Sequence, residues 1–289
     1  MWRRIAVVLA LTLAGSFGGP RALHAGSLDD DVSAPSTRPR TLFESILGSA
    51  WRREGEESSG ERHLDPDRPH FPEASTTVGL GHAVLEGGYT YMQRGSSVTQ
   101  TYPEALLRVG MFAEWFEFRI GQSFIDRDRE SGRQDLYLGV KVQLIDQKDF
   151  VPQIAIIPQL TVPTGGGATA GRVLPGVNID CGWEVVKDFF NVELLIATNR
   201  VADTSRESHV EVATGLTGAF AVRRNLELFV EWDAFYPVGS DTPTGARHYA
   251  VGGAGFFIPK DIAVDVRAGV GLNRDANDFL AGTGFAVRY

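Results

Sequence analysis

The sequence predicts an all-β fold, a closed antiparallel transmembrane β-barrel of about twelve strands joined as an up-and-down meander. Apolar and polar residues alternate with period two from Thr77 to the C-terminus, and short and long connections alternate between the strands. An export signal ahead of the alternating region sets the compartment in which such a barrel occurs.

Arg3 and Arg4 precede an uncharged, mostly aliphatic run from Ile5 to Ala14, and a looser stretch leads to Ala22-Leu23-His24-Ala25. This is the layout of a secretory signal peptide over residues 1–25, cut after Ala25. A membrane-anchoring helix needs roughly 20 apolar residues, more than this run supplies, and no later segment offers a helical span. Removing the leader takes Arg3, Arg4 and Arg21 and no acid, so the formal charge moves from −8 to −11. An acidic exported chain without a basic cluster is not a candidate for nucleic-acid binding. Cys181, the single cysteine, excludes an internal disulfide.

Residues 26–76 carry Pro35, Pro39, Pro66, Pro69 and Pro72 among many Ser, Arg, Asp and Glu residues. Such composition buries too little apolar surface to offset the entropy of ordering, and it favours a flexible periplasmic leader. Within it, Thr41 is placed to cap a short helix over Leu42–Leu47, with Glu44 three residues on as in a capping box. The competing reading is a segment that plugs the barrel or docks on a partner.

From 77 to 289 the chain reads as barrel. Ile262, Val264, Val266, Ala268, Val270 and Leu272 share one parity, and Ala263, Asp265, Arg267, Gly269 and Gly271 the other. Segments of this kind fall near 83–93, 102–112, 115–124, 134–144, 151–162, 174–185, 189–199, 209–221, 226–236, 247–257, 262–272 and 278–289. Eleven tilted residues rise roughly 26 Å, enough to span a bilayer. Tight connections are expected at 113–114, 147–149, 187–188, 223–225 and 259–261. Longer polar ones are expected at 94–101, 125–133, 163–173, 200–208, 237–246 and 273–277. Short turns on the periplasmic side and long loops outside are the outer-membrane arrangement, and an even strand count puts both termini in the periplasm.

Aromatic residues add two zones. Trp115, Trp183, Phe189, Phe190, Phe256, Phe257 and Tyr289 fall near the short-turn ends, and Phe124, Tyr236 and Phe279 near the long-loop ends, as interfacial girdles require. The chain closes on Phe279 to Tyr289 with alternate apolar residues and a final aromatic. This resembles the assembly signal of outer-membrane proteins, although Tyr289 stands where Phe is usual. The run Ile156-Ile157-Pro158-Gln159-Leu160-Thr161-Val162-Pro163-Thr164-Gly165, the triplet Glu231-Trp232-Asp233 and the late strand through Gly269-Val270-Gly271-Leu272 resemble the family labelled MetA-pathway of phenol degradation. That resemblance covers roughly 77–289. It implies an outer-membrane, transporter-like barrel in contact with lipid, assembled by the barrel-assembly machinery and passing small, aromatic or hydrophobic solutes.

No catalytic motif, cofactor signature or metal-binding spacing stands out. The glycine-rich stretch 165–172 lacks the Gly-Lys-Ser/Thr of a phosphate loop. His63, His70, His82, His209 and His248 form no ligand pattern, and no serine lies in a nucleophile elbow. The inward parity, taken with apolar faces toward lipid, holds Arg108, Glu117, Arg119, Lys141, Asp180, Glu184, Glu193, Glu211, Glu227, Glu231, Asp233, Asp265, Arg267 and Arg288. Charges facing lipid near midplane cost roughly 2–4 kcal/mol each, so the lumen is the cheaper place for them. Two roles stay open for these residues: a weakly cation-preferring channel wall, or opposite charges that pair and stiffen a narrow lumen. Glu231 and Asp233 are the preferred candidates for solute contact. The expected function is passive passage of small solutes. The alternatives are a structural or partner-binding barrel with a closed lumen, or a soluble exported β-barrel holding an apolar ligand.

Overall fold

A computed structural model of the chain describes residues 39–47, 64–128, 130–166, 169, 171–202, 207–239, 245–258 and 261–289. The expected signal peptide over 1–25, and the leader residues 26–38 and 48–63, lie outside the described residues. Thirteen strands run in chain order: β1 (Ala83–Arg94), β2 (Ser97–Gly110), β3 (Phe116–Arg127), β4 (Glu130–Arg133), β5 (Leu136–Ile145), β6 (Gln153–Val162), β7 (Leu174–Val186), β8 (Phe190–Ala202), β9 (Ser208–Arg223), β10 (Leu226–Val238), β11 (Arg247–Ile258), β12 (Ile262–Gly271) and β13 (Phe279–Arg288).

All pairings are antiparallel, between successive strands except that β3 pairs with both β4 and β5, and β1 pairs with β13 from Val84↔Arg288 to Gln93↔Phe279, which closes the ring. The short β4 lies on the same edge of β3 as β5, so the two are pieces of one interrupted strand and the wall is twelve-stranded. Closure leaves no unpaired sheet edge, the condition for a sheet in hydrocarbon.

The alternation read from the sequence sets the two faces. Val230 is 62% exposed and Val266 57%, whereas Arg108, Glu117 and Lys141 are 0% exposed. Most large apolar side chains of the strands point away from the barrel and the charged ones into it, while some, among them Leu195, Phe229 and Tyr249, are buried on the inner face. No helix among the described residues is long and apolar enough to cross a membrane.

Tight turns occur where expected at 113–114, 147–149, 187–188 and 223–225, whereas Pro259 and Lys260 of the fifth lie outside the described residues. Asp149 and Asp188, after the two Lys residues of those turns, adopt positive φ of 52° and 56°, which Asp tolerates better than most residues. Two connections differ from expectation. The 94–101 stretch is a two-residue turn at Gly95-Ser96, because Ser97–Thr101 continues β2. Part of the 125–133 stretch is the β3–β4 hairpin. Both extensions are mostly polar, with Val98 and Ile125 as isolated apolar residues, so alternation gave no sign of them. Phe257 also departs from the girdle, packing inward against Leu64, Val78, Val84, Ala263 and Ala286.

The short helix α1 (Leu42–Leu47) forms where Thr41 caps it: the Glu44 amide donates to Thr41 Oγ1 at 3.0 Å. Glu44 returns the bond to the Arg40 amide at 2.9 Å, one residue earlier than a standard capping box. Trp115 Nε1 donates to Ser45 Oγ at 2.7 Å and ties the helix to the short-turn rim.

Candidate functional site

Residues 64–78, grouped through Thr76 with the leader on composition, lie inside the barrel. Leu64 and Val78 are buried in one cluster with Val84, Ala263 and Ala286, so the segment enters and leaves at the short-turn end, with Phe71 in its middle. Pro66, Pro69 and Pro72 have no N–H to satisfy. Among the other amides, Asp67 donates to Glu86 at 3.1 Å, Phe71 to Glu231 at 3.0 Å, Glu73 to Asp180 at 3.2 Å and Val78 to Glu117 at 2.9 Å. Irregular backbone at membrane depth persists only where protein satisfies it, and here wall carboxylates do so.

The side chains of this plug match the charge of the wall they face. Asp67 meets three cations: Arg108 NH1 at 3.2 Å, Arg119 NH2 at 2.7 Å and Lys141 Nζ at 2.9 Å. Burial works against its carboxylate, yet these cations hold it well below the usual carboxylate range. Lys141 also donates to the Ala74 carbonyl at 2.6 Å, and Arg108 grips both oxygens of Glu117 at 2.9 and 3.1 Å. Arg119 reaches Glu73 at 2.8 Å.

For the cationic side chains of the plug the signs reverse. Arg68 lies 2.6 Å from Glu104 and 3.4 Å from Asp265. His70 Nδ1 lies 3.0 Å from Glu193, and Nε2 lies 3.7 Å from Glu227. Burial opposes charge on the His70 ring, but Glu193, Glu231 and Glu227 outweigh it and raise its pKa from 6.5 to about 9. Arg267 donates to the Pro69 carbonyl and to Thr90 Oγ1, both at 2.9 Å. Phe71 packs on Phe235 with ring centroids 4.9 Å apart. A Cβ added to Gly215 would sit 2.9 Å from Phe71 and 3.0 Å from Pro72, so this wall position is shaped to the plug.

Of the residues singled out from the sequence, Arg108, Glu117, Arg119, Lys141, Asp180, Glu193, Glu227, Glu231, Asp265 and Arg267 contact the plug directly. Glu211 pairs with Arg247 above it. Asp233 faces a cavity. Glu184 accepts from the Asp188 amide and Arg288 pairs with Asp261 at 2.6 Å, so these two belong to the short-turn rim. Sequence reasoning missed Asp67, Arg68, Glu86 and Glu104 and gave His70 no role; the clustering of Asp, Arg, His and Glu between prolines at 65–73 was the available signal.

Two larger spaces remain around the plug. One of about 310 Å³ is lined by Arg68, Phe71, Arg119, Asn178 and Asn199 among others. The other, about 440 Å³, opens toward the long loops between Phe71, Glu231, Asp233, Phe235, Tyr249 and Arg94. Among the described residues no group of three His, Cys, Asp or Glu side chains could hold a metal ion.

A closed twelve-stranded meander with an apolar outer face and a charged, plugged interior is an outer-membrane-type, porin-like β-barrel. Over residues 66–289 the sequence matches the family described as "Putative MetA-pathway of phenol degradation", and the chain belongs to that family. The match takes in the plug from Pro66 onward. No curated protein matches. The COG4313 outer membrane channel from Pseudomonas putida F1 has a similar fold, with TM-score 0.60 and 13% identity over 75% of this chain and 99% of that one. The NanC porin matches at TM-score 0.49 and 8% identity, over 71% of this chain and 98% of that one.

Proposed function

We propose that the protein is an outer-membrane channel for passive passage of small solutes, with residues 64–78 as a plug that must shift for solute to pass. The single observation carrying this reading is the plug itself, a segment without regular structure held by wall side chains inside a barrel otherwise wide enough to contain it. Twelve strands lie between barrels filled by their own side chains and open porins. The apolar outer face supports residence in lipid rather than in water. The name and fold of the channel from Pseudomonas putida F1 agree with a channel role. Phe71, Phe235, Tyr249, Val251 and Leu280 around the larger cavity support solutes with an aromatic or hydrophobic body.

In this reading residues 1–25 direct export, the barrel-assembly machinery reads the last strand, and 26–63 stay in the periplasm. The inward charges, with Glu231 and Asp233 foremost, line the solute path. The plug also favours the second reading, a structural or partner-binding barrel whose lumen never opens. Planar-bilayer recordings of the mature protein and of a variant lacking residues 65–76 separate the two. The channel reading expects small or intermittent conductance from the mature protein and large steady steps from the deletion. A folded, heat-modifiable mature barrel that stays silent under all conditions, while the deletion conducts, sinks the channel and favours the closed barrel.

A further inference from the structure

We infer that the cavity at the long-loop end is a binding site for an organic ammonium ion carrying an apolar or aromatic body. This deepens the channel reading by naming a solute class. The site stands on β9, β10 and β11, whose inward positions bring Glu231, Asp233 and Phe235 together with Thr217, Tyr249 and the plug residue Phe71.

Its chemistry follows from which charges are already engaged. Arg247 is paired with Glu211 and lies over the Phe235 ring, 5.3 Å from the centroid. Arg267 donates through NH1 to the Pro69 carbonyl and through NH2 to Thr90, while its Nε is buried without a hydrogen-bond partner. Glu231 accepts from the Phe71 amide and from Thr217 Oγ1 at 2.7 Å, both through Oε2. Asp233, two residues along the same face, is 5% exposed, and its Oδ1 has no hydrogen-bond partner. No cation among the described residues lies within ion-pair distance of it. The carboxyl also contacts Glu231, but a buried carboxylate oxygen without a partner is costly, and this group lines a cavity of about 440 Å³, the size of small-molecule sites.

The walls select the kind of cation. Phe71, Phe235 and Tyr249 form a run of rings with centroid spacings of 4.9 and 6.0 Å. Aromatic faces attract a desolvated ammonium, and Arg247 over Phe235 is that contact made by the protein's own cation. A hard divalent metal takes six or more oxygen ligands, and among the described residues no group of three His, Cys, Asp or Glu side chains is placed to hold one. An ammonium with an apolar body finds an acceptor at Asp233, a second carboxylate at Glu231 and aromatic surface for the remainder.

The test is calorimetry on the purified, detergent-solubilised mature protein with benzylammonium, benzyl alcohol and benzoate, three probes of nearly equal size. Benzylammonium is expected to bind at least about ten-fold tighter than benzyl alcohol, with benzoate weakest. Asp233→Asn is expected to weaken benzylammonium about ten-fold while leaving benzyl alcohol within about two-fold. Equal affinities for amine and alcohol on the unaltered protein, or an amine affinity untouched by a folded Asp233→Asn barrel, overturn the assignment. The unaltered-protein comparison decides the matter even where the variant fails to fold. Binding is read without conductance, so a silent but amine-binding barrel would break the channel reading alone.

Discussion

The two sides of the lumen use charge in different ways. On β2, β3 and β5 the wall offers Arg108, Arg119 and Lys141, all essentially buried, and they converge on one plug residue, Asp67. On β8, β10 and β12 the wall offers Glu193, Glu227, Glu231, Asp233 and Asp265. Arg68, His70 and the Phe71 amide engage four of these, and Asp233 is left over beside the larger cavity. The basic side is an anchor in which each cation has a partner. The acidic side is a partial anchor with a carboxylate to spare. A lumen with charges of both signs is therefore neither simply cation-preferring nor simply braced, since the role of each residue depends on what the plug brings to it.

The most damaging change to this pattern is at Asp67. Asp67→Ala leaves three buried cations with one shared acid fewer, and breaking a buried ion pair from one side costs about 3–5 kcal/mol. The plug contributes Asp67 and the wall closes without it. The loss should therefore appear as release of the plug, with faster proteolysis within 64–78 and larger conductance steps, while the barrel remains heat-modifiable. A variant with protected plug and unchanged conductance would mean that Asp67 is not the anchor.

The acidic side responds to pH instead. His70 has a folded pKa of about 9 against an ordinary 6.5. Its ion-pair contribution is therefore complete below about pH 6.5 and is lost as pH rises through about 9. At about 1.4 kcal/mol per pKa unit, the contribution reaches up to about 3 kcal/mol. Open probability is expected to climb between about pH 8 and 10 and to become flat over that range in His70→Gln. A pH response unchanged in His70→Gln would place the sensor elsewhere.

The wall was legible in the sequence because its signal is local. Alternation at 226–236 and 262–272 needs only neighbouring residues, and the structure has β10 and β12 there within two residues. The start of β2 was missed by five residues because Ser97, Thr99 and Thr101 share the strand with polar neighbours. The plug was hidden for a deeper reason. Its apolar content is little more than Leu64, Phe71 and Val78, so composition places it with disordered segments. Its order comes from partners far along the chain: Glu231 for the Phe71 amide, Arg267 for the Pro69 carbonyl, Lys141 for Asp67. No window of sequence shows that these residues share a lumen. The charged parity identified which wall residues face inward, and only the fold shows that most of them are spoken for.

The mildest change sharpens the contrast, because it alters no charge. Gly215 faces the acidic side, and the three atoms nearest to an added Cβ all belong to Phe71 and Pro72 of the plug. Gly215→Ala therefore overpacks the plug–wall contact, at a cost of about 1–3 kcal/mol. Ion pairs at Asp67 lie on the other side and should hold. The expected outcome is a plug that loosens around Phe71 yet stays docked at Asp67, read as faster amide exchange at 70–73 than at 66–68. Uniform loosening across 64–78 would show that the plug moves as one rigid body, and the distinction between its two sides would then be chemical without being mechanical.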